Sequence, residues 1–424
     1  MHRRYERLEK LGEGAFGSVY KTLDTVNASR GLARKACYRA SKVVNYRAMR
    51  EREKQALVNE VNCLRELAHP FIVRYYDRVI EKAGMTLEIV MEFCDGGDLR
   101  TMVREFEREG KHMREALVWQ FFAQLVLALK ACHTHLASPA PPSDPAAGPA
   151  AAAAAAAPRR RPILHRDLKP ANIFLVYDDH FSSGLCVKIG DFGLAKELSE
   201  TTALAETQVG TPYYMSPELF AGSPYNERSD TWSLGCIVYE MAQGRPPFVA
   251  KNVANLRRRV RRGVYEPLGE RHFSRELNGV IATMLRTDAA ERPTMVDLEQ
   301  RIYDVPHARK YLLEGRLRER ELKVESRERH AEKAERAAAA QARAVEERES
   351  AVQAREDAVA KRERALQQQG LHVGKTPTHG ENGGSATANT RRAQLSAPAA
   401  GASEYYTPPR VPGAALGLDS QRRR

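Results

Sequence analysis

No two cysteines in this 424-residue chain are spaced C-x-x-C. The six, Cys37, Cys63, Cys94, Cys132, Cys186 and Cys236, are scattered, and no H-E-x-x-H run accompanies them. Zinc ribbons and zinc proteases are therefore excluded as readings. The opening Met1-His2-Arg3-Arg4-Tyr5-Glu6 has no apolar stretch of the kind that begins a secretory signal. Nor does any stretch approach the roughly 18 apolar residues that cross a bilayer. The expectation is an intracellular soluble protein with reduced thiols and no transmembrane segment. One further absence is local. Between residues 316 and 369 there is neither glycine nor proline, which removes turns and leaves helix.

What is abundant is positive charge: 67 basic against 54 acidic residues, a net +13. Such an excess favours acidic partners, among them nucleic acid or tubulin-like surfaces. Much of it, however, lies in local runs: Arg159 to Arg161, Arg257 to Arg259 with Arg261 and Arg262, and Arg422 to Arg424. Runs of this kind read as solvated faces or tails, and nucleic acid is not an expected partner.

Residues 5–305 read as one mixed α/β domain. Strand-like runs cover Tyr5 to Leu11, Ser18 to Leu23, Gly31 to Cys37 and Leu87 to Phe93. A helix is predicted from about Arg50 to Leu67, because Leu57, Val61, Leu64 and Leu67 recur at helical spacing. After Asp98 the pattern turns mostly helical, and Leu117, Phe121, Leu125 and Leu129 mark one apolar face of a long helix. Residues 138–162 then bring seven prolines and eight consecutive alanines, Ala150 to Ala157. Eight alanines are too few for a stable isolated helix, so this insert reads as a surface loop.

From 314 to 369 small or apolar residues recur every seven positions: Leu317, Val324, Ala331, Ala338, Val345, Val352, Val359 and Leu366. This is a coiled-coil seam, but a thin one, since the second core position is charged at Arg348, Arg355 and Arg362. Its expected product is a weak homodimer through 317–366. The other reading is a solvated single helix with pairs such as Glu325 with Arg329 and Glu332 with Arg336. Residues 370–424 read as a disordered tail.

Two segments carry the chemistry. The first is His165-Arg166-Asp167-Leu168-Lys169-Pro170-Ala171-Asn172, and the second is Asp191-Phe192-Gly193. A base, a lysine, an asparagine and a second acid form the working set for moving a phosphoryl group from Mg-ATP. Asp167 is expected as the base for a substrate hydroxyl and Lys169 at the γ-phosphate. Asn172 and Asp191 are expected to hold Mg2+. Gly12-Glu13-Gly14-Ala15-Phe16-Gly17-Ser18-Val19 fits a hairpin over phosphates, since it joins two strands rather than a strand and a helix. Gly12, Gly14 and Gly17 let the backbone approach the phosphates, while Leu11 and Val19 belong to the nucleotide site.

Lys35, in Leu32-Ala33-Arg34-Lys35, is expected on the third strand, pairing the α- and β-phosphates. Glu60 is its expected carboxylate, ahead of Glu53 and Glu51. Lys35 and Glu60 then stand far apart, so Ala40 to Met49 reads as an extra segment. After Asp191 a long loop ends in Gly210-Thr211-Pro212-Tyr213-Tyr214-Met215-Ser216-Pro217-Glu218. Thr211 is expected near Asp167, and Thr207 is the expected activating phosphosite with Arg166 as its cationic partner. Glu218 is expected to pair with Arg292, and Asp230 to brace the catalytic-loop backbone.

With these motifs in place, residues 5–305 resemble a eukaryotic protein kinase. More narrowly they resemble the NIMA-related serine/threonine kinases of the mitotic, centrosomal branch. The phrases that carry the likeness are Asn59 to Leu67, His69 to Asp77, Val90 to Leu99 and Val209 to Glu218. The resemblance implies an α+β bilobal fold, with a β-rich N-lobe at about 5–92 and a helical C-lobe at about 93–305. ATP lies in the cleft between them. It implies Met91 as gatekeeper, Glu92 and Cys94 as backbone contacts to adenine, and Ala33 and Phe174 around the ring. It further implies protein substrates, cytoskeletal or centrosomal partners, and a cytoplasmic, centrosomal, basal-body or nuclear location. Polo-like and Aurora kinases are the rival enzyme reading, disfavoured by the His69–Asp77 and Gly210–Glu218 phrases. A catalytically weak or inactive kinase-fold scaffold is the rival function.

Overall fold

The computed structural model describes residues 4–14, 17–31, 37–137, 159–160, 162–192 and 212–370. It divides into two units, residues 1–341 and 342–424.

The first unit opens with five antiparallel strands: β1 (Tyr5–Gly14), β2 (Gly17–Asp24), β3 (Tyr38–Asn45), β4 (Tyr75–Glu81) and β5 (Thr86–Glu92), ordered β1-β2-β3-β5-β4. A short helix, α1 (Thr25–Ser29), begins where Asp24 accepts a bond from the Asn27 backbone, and it separates β2 from β3. That helix moves the third strand. It runs over Tyr38–Asn45, not over Gly31 to Cys37 as expected. Ala40 to Asn45 are thus strand residues, and the expected extra segment is largely this strand.

Helix α2 (Glu51–Glu66) follows. Val61 is buried with Val73, Leu87, Ile89 and Met91, and Leu57 packs against them. That matches the predicted apolar face.

The C-lobe is built on two buried helices, α4 (Glu115–His133) and α6 (Glu227–Gln243), preceded by α3 (Leu99–Arg108) and α5 (Pro217–Phe220). By length and composition α4 is apolar enough to cross a membrane, although no such stretch was expected from the sequence. Its expected single apolar face is in fact a continuous belt, because Val118 to Leu129 are all buried. The reason is its position: it packs against β9 (Leu185–Ile189), which pairs with β8 (Ile173–Tyr177), and against α6 and α9 (Met295–Asp304) at once. Helices α7 (Val253–Arg262) and α8 (Arg275–Met284) complete the lobe.

The insert leaves from β6 (Leu136–Ala137) and returns through β7 (Arg159–Arg160), which pair antiparallel, Leu136 with Arg160 and Ala137 with Arg159. Its two ends are therefore held side by side; residues 138–158 lie outside the described residues.

Helix α10 (Pro306–Gly370) begins inside the first unit. Ala308 and Leu312 are fully buried. Any side chain on Gly315 would meet Leu127 Cδ1 at 2.6 Å. The folded C-lobe thus extends past 305 into this helix. Further along, Leu317, Val324, Val345, Val352 and Val359 are exposed. The expected i,i+4 pairs are present, Arg329 with Glu325 at 3.9 Å and Arg336 with Glu332 at 3.8 Å.

Candidate active site

The glycine-rich loop is a hairpin. Gly12 lies opposite Val19 and Gly14 opposite Gly17 in the β1–β2 register, with a register shift between Lys10 and Gly12 that places Leu11 on a bulge. At Gly17 φ is +151°, and a Cβ would stand 1.9 Å from the Val43 carbonyl oxygen. No other residue fits against β3 there.

β3 brings a lysine into the cleft, but it is Lys42. Its Nζ lies 2.8 Å from Asp191 Oδ1. Lys35 and Ala33 lie outside the described residues, before the strand begins. Ala40, two residues before Lys42, pairs with Met91 on β5. Glu60 is on α2, within the described backbone but not among the described side chains. Lys42 escaped the sequence reading because α1 was not recognised. The signal that could have found it is Val43-Val44, a β-branched pair typical of a strand, shortly before α2.

Met91 is buried at the end of β5. Cys94 and Phe174 pack against its cluster, and burial pushes the Cys94 thiol up. The Glu92 carboxylate accepts from the Arg74 backbone at 3.2 Å and pairs with Lys188 at 3.1 Å. Lys188, on β9, also donates to Pro70 O at 2.6 Å. Burial is the largest influence and lowers the pKa of such an amine, but Glu92 together with the neighbouring Cys186 and Cys94 holds Lys188 above its ordinary range. Sequence reading missed this lysine, since a lysine in an apolar strand normally reads as exposed.

The catalytic loop is held from below by Asp230, which is fully buried near the start of α6. A capping box between Asn226 and Ser229 fixes that start. Asp230 Oδ2 meets His133 Nε2 at 2.8 Å and accepts the His165 backbone N–H at 3.1 Å. Oδ1 accepts the Arg166 N–H at 3.4 Å and the Tyr225 hydroxyl. Burial raises the pKa of such a carboxyl, yet the His133 and Tyr225 contacts hold it below the ordinary carboxylate value. Arg166 adopts φ +65°, a left-handed conformation costly for a side-chain-bearing residue.

His165 Nδ1 accepts from the Asp167 N–H at 3.3 Å, so Nε2 carries the proton and donates to Gly190 O at 3.0 Å. Burial lowers the His165 pKa and keeps the ring neutral. Gly190 has no room for a side chain, since a Cβ would lie 2.8 Å from Phe174. This seats Asp191, itself at φ +49°, directly after the bonded glycine.

Asp167 Oδ2 receives Lys169 Nζ at 2.6 Å and Asn172 Nδ2 at 3.1 Å. Asn172 Nδ2 also donates to Asp167 O at 2.9 Å. Its amide nitrogen is thereby committed, leaving the carbonyl oxygen as its ligand atom. With the Asp191 carboxylate this is a hard-oxygen pair that fits a divalent cation completed by phosphate and water. Thr207 and Thr211 lie outside the described residues. Beyond them, Arg292 forks onto Glu218 with two bonds of 2.8 Å. Burial raises the Glu218 pKa, but the bonds from Arg292 and Ser229 bring it below normal.

A family model described as protein tyrosine and serine/threonine kinase matches residues 5–302. Human serine/threonine-protein kinase Nek2 is 41% identical over 296 residues, 69% of this chain and 58% of that protein. The nek2 kinase of Dictyostelium discoideum is 40% identical over 70% of this chain and 61% of its own length. The G2-specific protein kinase nimA of Emericella nidulans is 40% identical over 70% of this chain and 40% of its own. The chain thus spans less than two thirds of each of these relatives.

Proposed function

The chain belongs to the protein tyrosine and serine/threonine kinase family, and on that premise we propose that it transfers the γ-phosphoryl group of ATP to serine and threonine hydroxyls of proteins. The observation that carries the proposal is the convergence of Lys42 on Asp191 at 2.8 Å beside Asp167, Lys169 and Asn172. In this reading Asp167 takes the hydroxyl proton. Lys169 steadies the γ-phosphate. Lys42 takes the α/β-phosphate role that the sequence reading gave to Lys35, with Glu60 as its carboxylate. Leu11, Val19, Ala40, Met91 and Phe174 enclose adenine, and the Glu92 and Cys94 backbone holds its edge.

Asn172 and Asp191 hold magnesium, which when bound supplies charge against the phosphate oxygens. Thr211 assists at Asp167, and Thr207 is the activating phosphosite read by Arg166. By likeness to Nek2 and nimA, the protein acts in the cell cycle, at centrosome, cilium or cytoskeleton. The exposed valines of α10 support weak self-association.

The test is transfer of labelled phosphate from Mg-ATP to casein by the full chain. Asp167→Asn is expected to lower it by at least about 10²–10⁴-fold while nucleotide binding persists. Equal labelling by wild type and variant would favour the scaffold reading.

A further inference from the structure

Helix α7 presents Arg257, Arg258, Arg259, Arg261 and Arg262, all exposed. Leu256 and Val260 are fully buried and fix its orientation. Some of the lobe's other surface arginines find carboxylates: Arg245 with Glu266 at 2.7 Å, Arg286 with Glu291 at 3.0 Å, Arg275 with Glu270 at 3.5 Å. None of the five on α7 has a carboxylate within ion-pair distance among the described residues. The arrangement works against the helix. Arg257 and Arg261, and Arg258 and Arg262, are like charges one turn apart, which destabilises a helix. The helix dipole favours cations in the last turn, but it does not reach back to Arg257 and Arg258. An uncompensated run of this kind is a surface prepared for an anionic partner.

We propose that α7 is a docking surface for an acidic segment of the protein substrate, outside the residues around the phospho-acceptor. This rests on the kinase activity proposed above. Two features favour an acidic polypeptide over nucleic acid. Helix α7 packs against α5, the helix that ends the segment leading from Asp191, so its ligand lies beside bound substrate. And residues 251–264 contain no aromatic side chain on which bases could stack. An acidic tract tethered to the acceptor would raise the local concentration of acceptor at the cleft without touching the chemistry.

The experiment uses the full chain and one acceptor peptide in three forms: bare, and with an oligoglutamate tract on a flexible linker at either end. The variant is Arg257→Gln, Arg258→Gln, Arg261→Gln and Arg262→Gln combined. For wild type the tract at one end is expected to lower KM by about tenfold at low ionic strength, with kcat unchanged. The variant is expected to match wild type on the bare peptide, which also shows that it folds, and to lose the tenfold gain. Replacing the same four arginines by glutamate should transfer the gain to an oligolysine tract. Binding of the labelled oligoglutamate peptide, followed by anisotropy, reads docking without catalysis and so separates its failure from failure of the kinase reading. Equal KM for all three peptides with wild type, or a variant that keeps the gain, overturns the proposal. So does duplex DNA that binds wild type in preference to the variant while the tract has no effect; that result would assign the helix to nucleic acid.

Discussion

Two walls of the cleft meet at the Lys42–Asp191 pair, and they are held in different ways. The catalytic loop hangs on one buried carboxylate. Asp230 gathers His133, Tyr225 and the backbone of two successive loop residues, one of them in a left-handed conformation. Lys42 is placed by sheet register alone, with Ser41 opposite both Tyr20 on β2 and Val90 on β5. A loop anchored on one group concentrates its risk there, whereas a strand spreads it over a ladder of backbone bonds.

The largest effect is expected at the catalytic loop's single anchor. Asp230→Ala should lower kcat by at least about 10²-fold through misplacement of Asp167. It should also cost about 3–5 kcal/mol, the usual penalty for leaving a buried network without its charge. Calorimetry and single-turnover transfer check the two effects. Arg292→Ala strips the cation from the mostly buried Glu218 and should cost about 3 kcal/mol by the same logic. Its effect should fall on stability and on the segment before α5, leaving the His165–Gly190 bond intact. A thermal melt alongside nucleotide binding separates the two.

The third test uses pH. Burial pushes His69 down to about 4, while its unfolded value is about 6.5. Its contribution is therefore complete above pH 6.5 and is lost as pH falls toward 4, by about 3 kcal/mol in all. Glu240 runs the other way in this window, since burial pushes its carboxyl up to about 7. The informative quantity is thus the difference between wild type and His69→Asn, in which asparagine keeps an acceptor for the Phe71 N–H. Below pH 6.5 the wild-type advantage should shrink. Smallest of all, replacing residues 138–158 by Asn-Gly should close a short hairpin across Ala137 and Arg159. It should leave kcat/KM and Tm nearly unchanged, because loop closure depends only weakly on length.

The same two walls differ in how plainly the chain announces them. Asp167, Asn172, Asp191 and Asp230 stand in segments whose chemistry requires those residue types; the structure bonds Asn172 to Asp167 and Asp230 to the backbone of His165 and Arg166. Glu218 and Arg292 likewise meet. Lys42 was hidden because lysine is common on surfaces, and a five-residue helix with one capping aspartate shifted the strand that carries it. Strand β4 went unread because its outer face is exposed and does not alternate cleanly. The seating of α10 on the C-lobe depends on small residues, Ala308 and Gly315, which in sequence look like any helix. Lys188 could not be read because its partner Glu92 is far away in sequence.

In the proposed kinase, β3 delivers Lys42 to the phosphates. Lys42→Met and Lys35→Met should be compared in the full chain by single-turnover phosphoryl transfer at saturating ATP. A loss of about 10²–10³-fold is expected for Lys42→Met, as for removal of one charge-stabilising group. Lys35→Met should stay within about twofold of wild type, because the phosphate role falls to Lys42. Loss of transfer in Lys35→Met with near-normal turnover in Lys42→Met would contradict it.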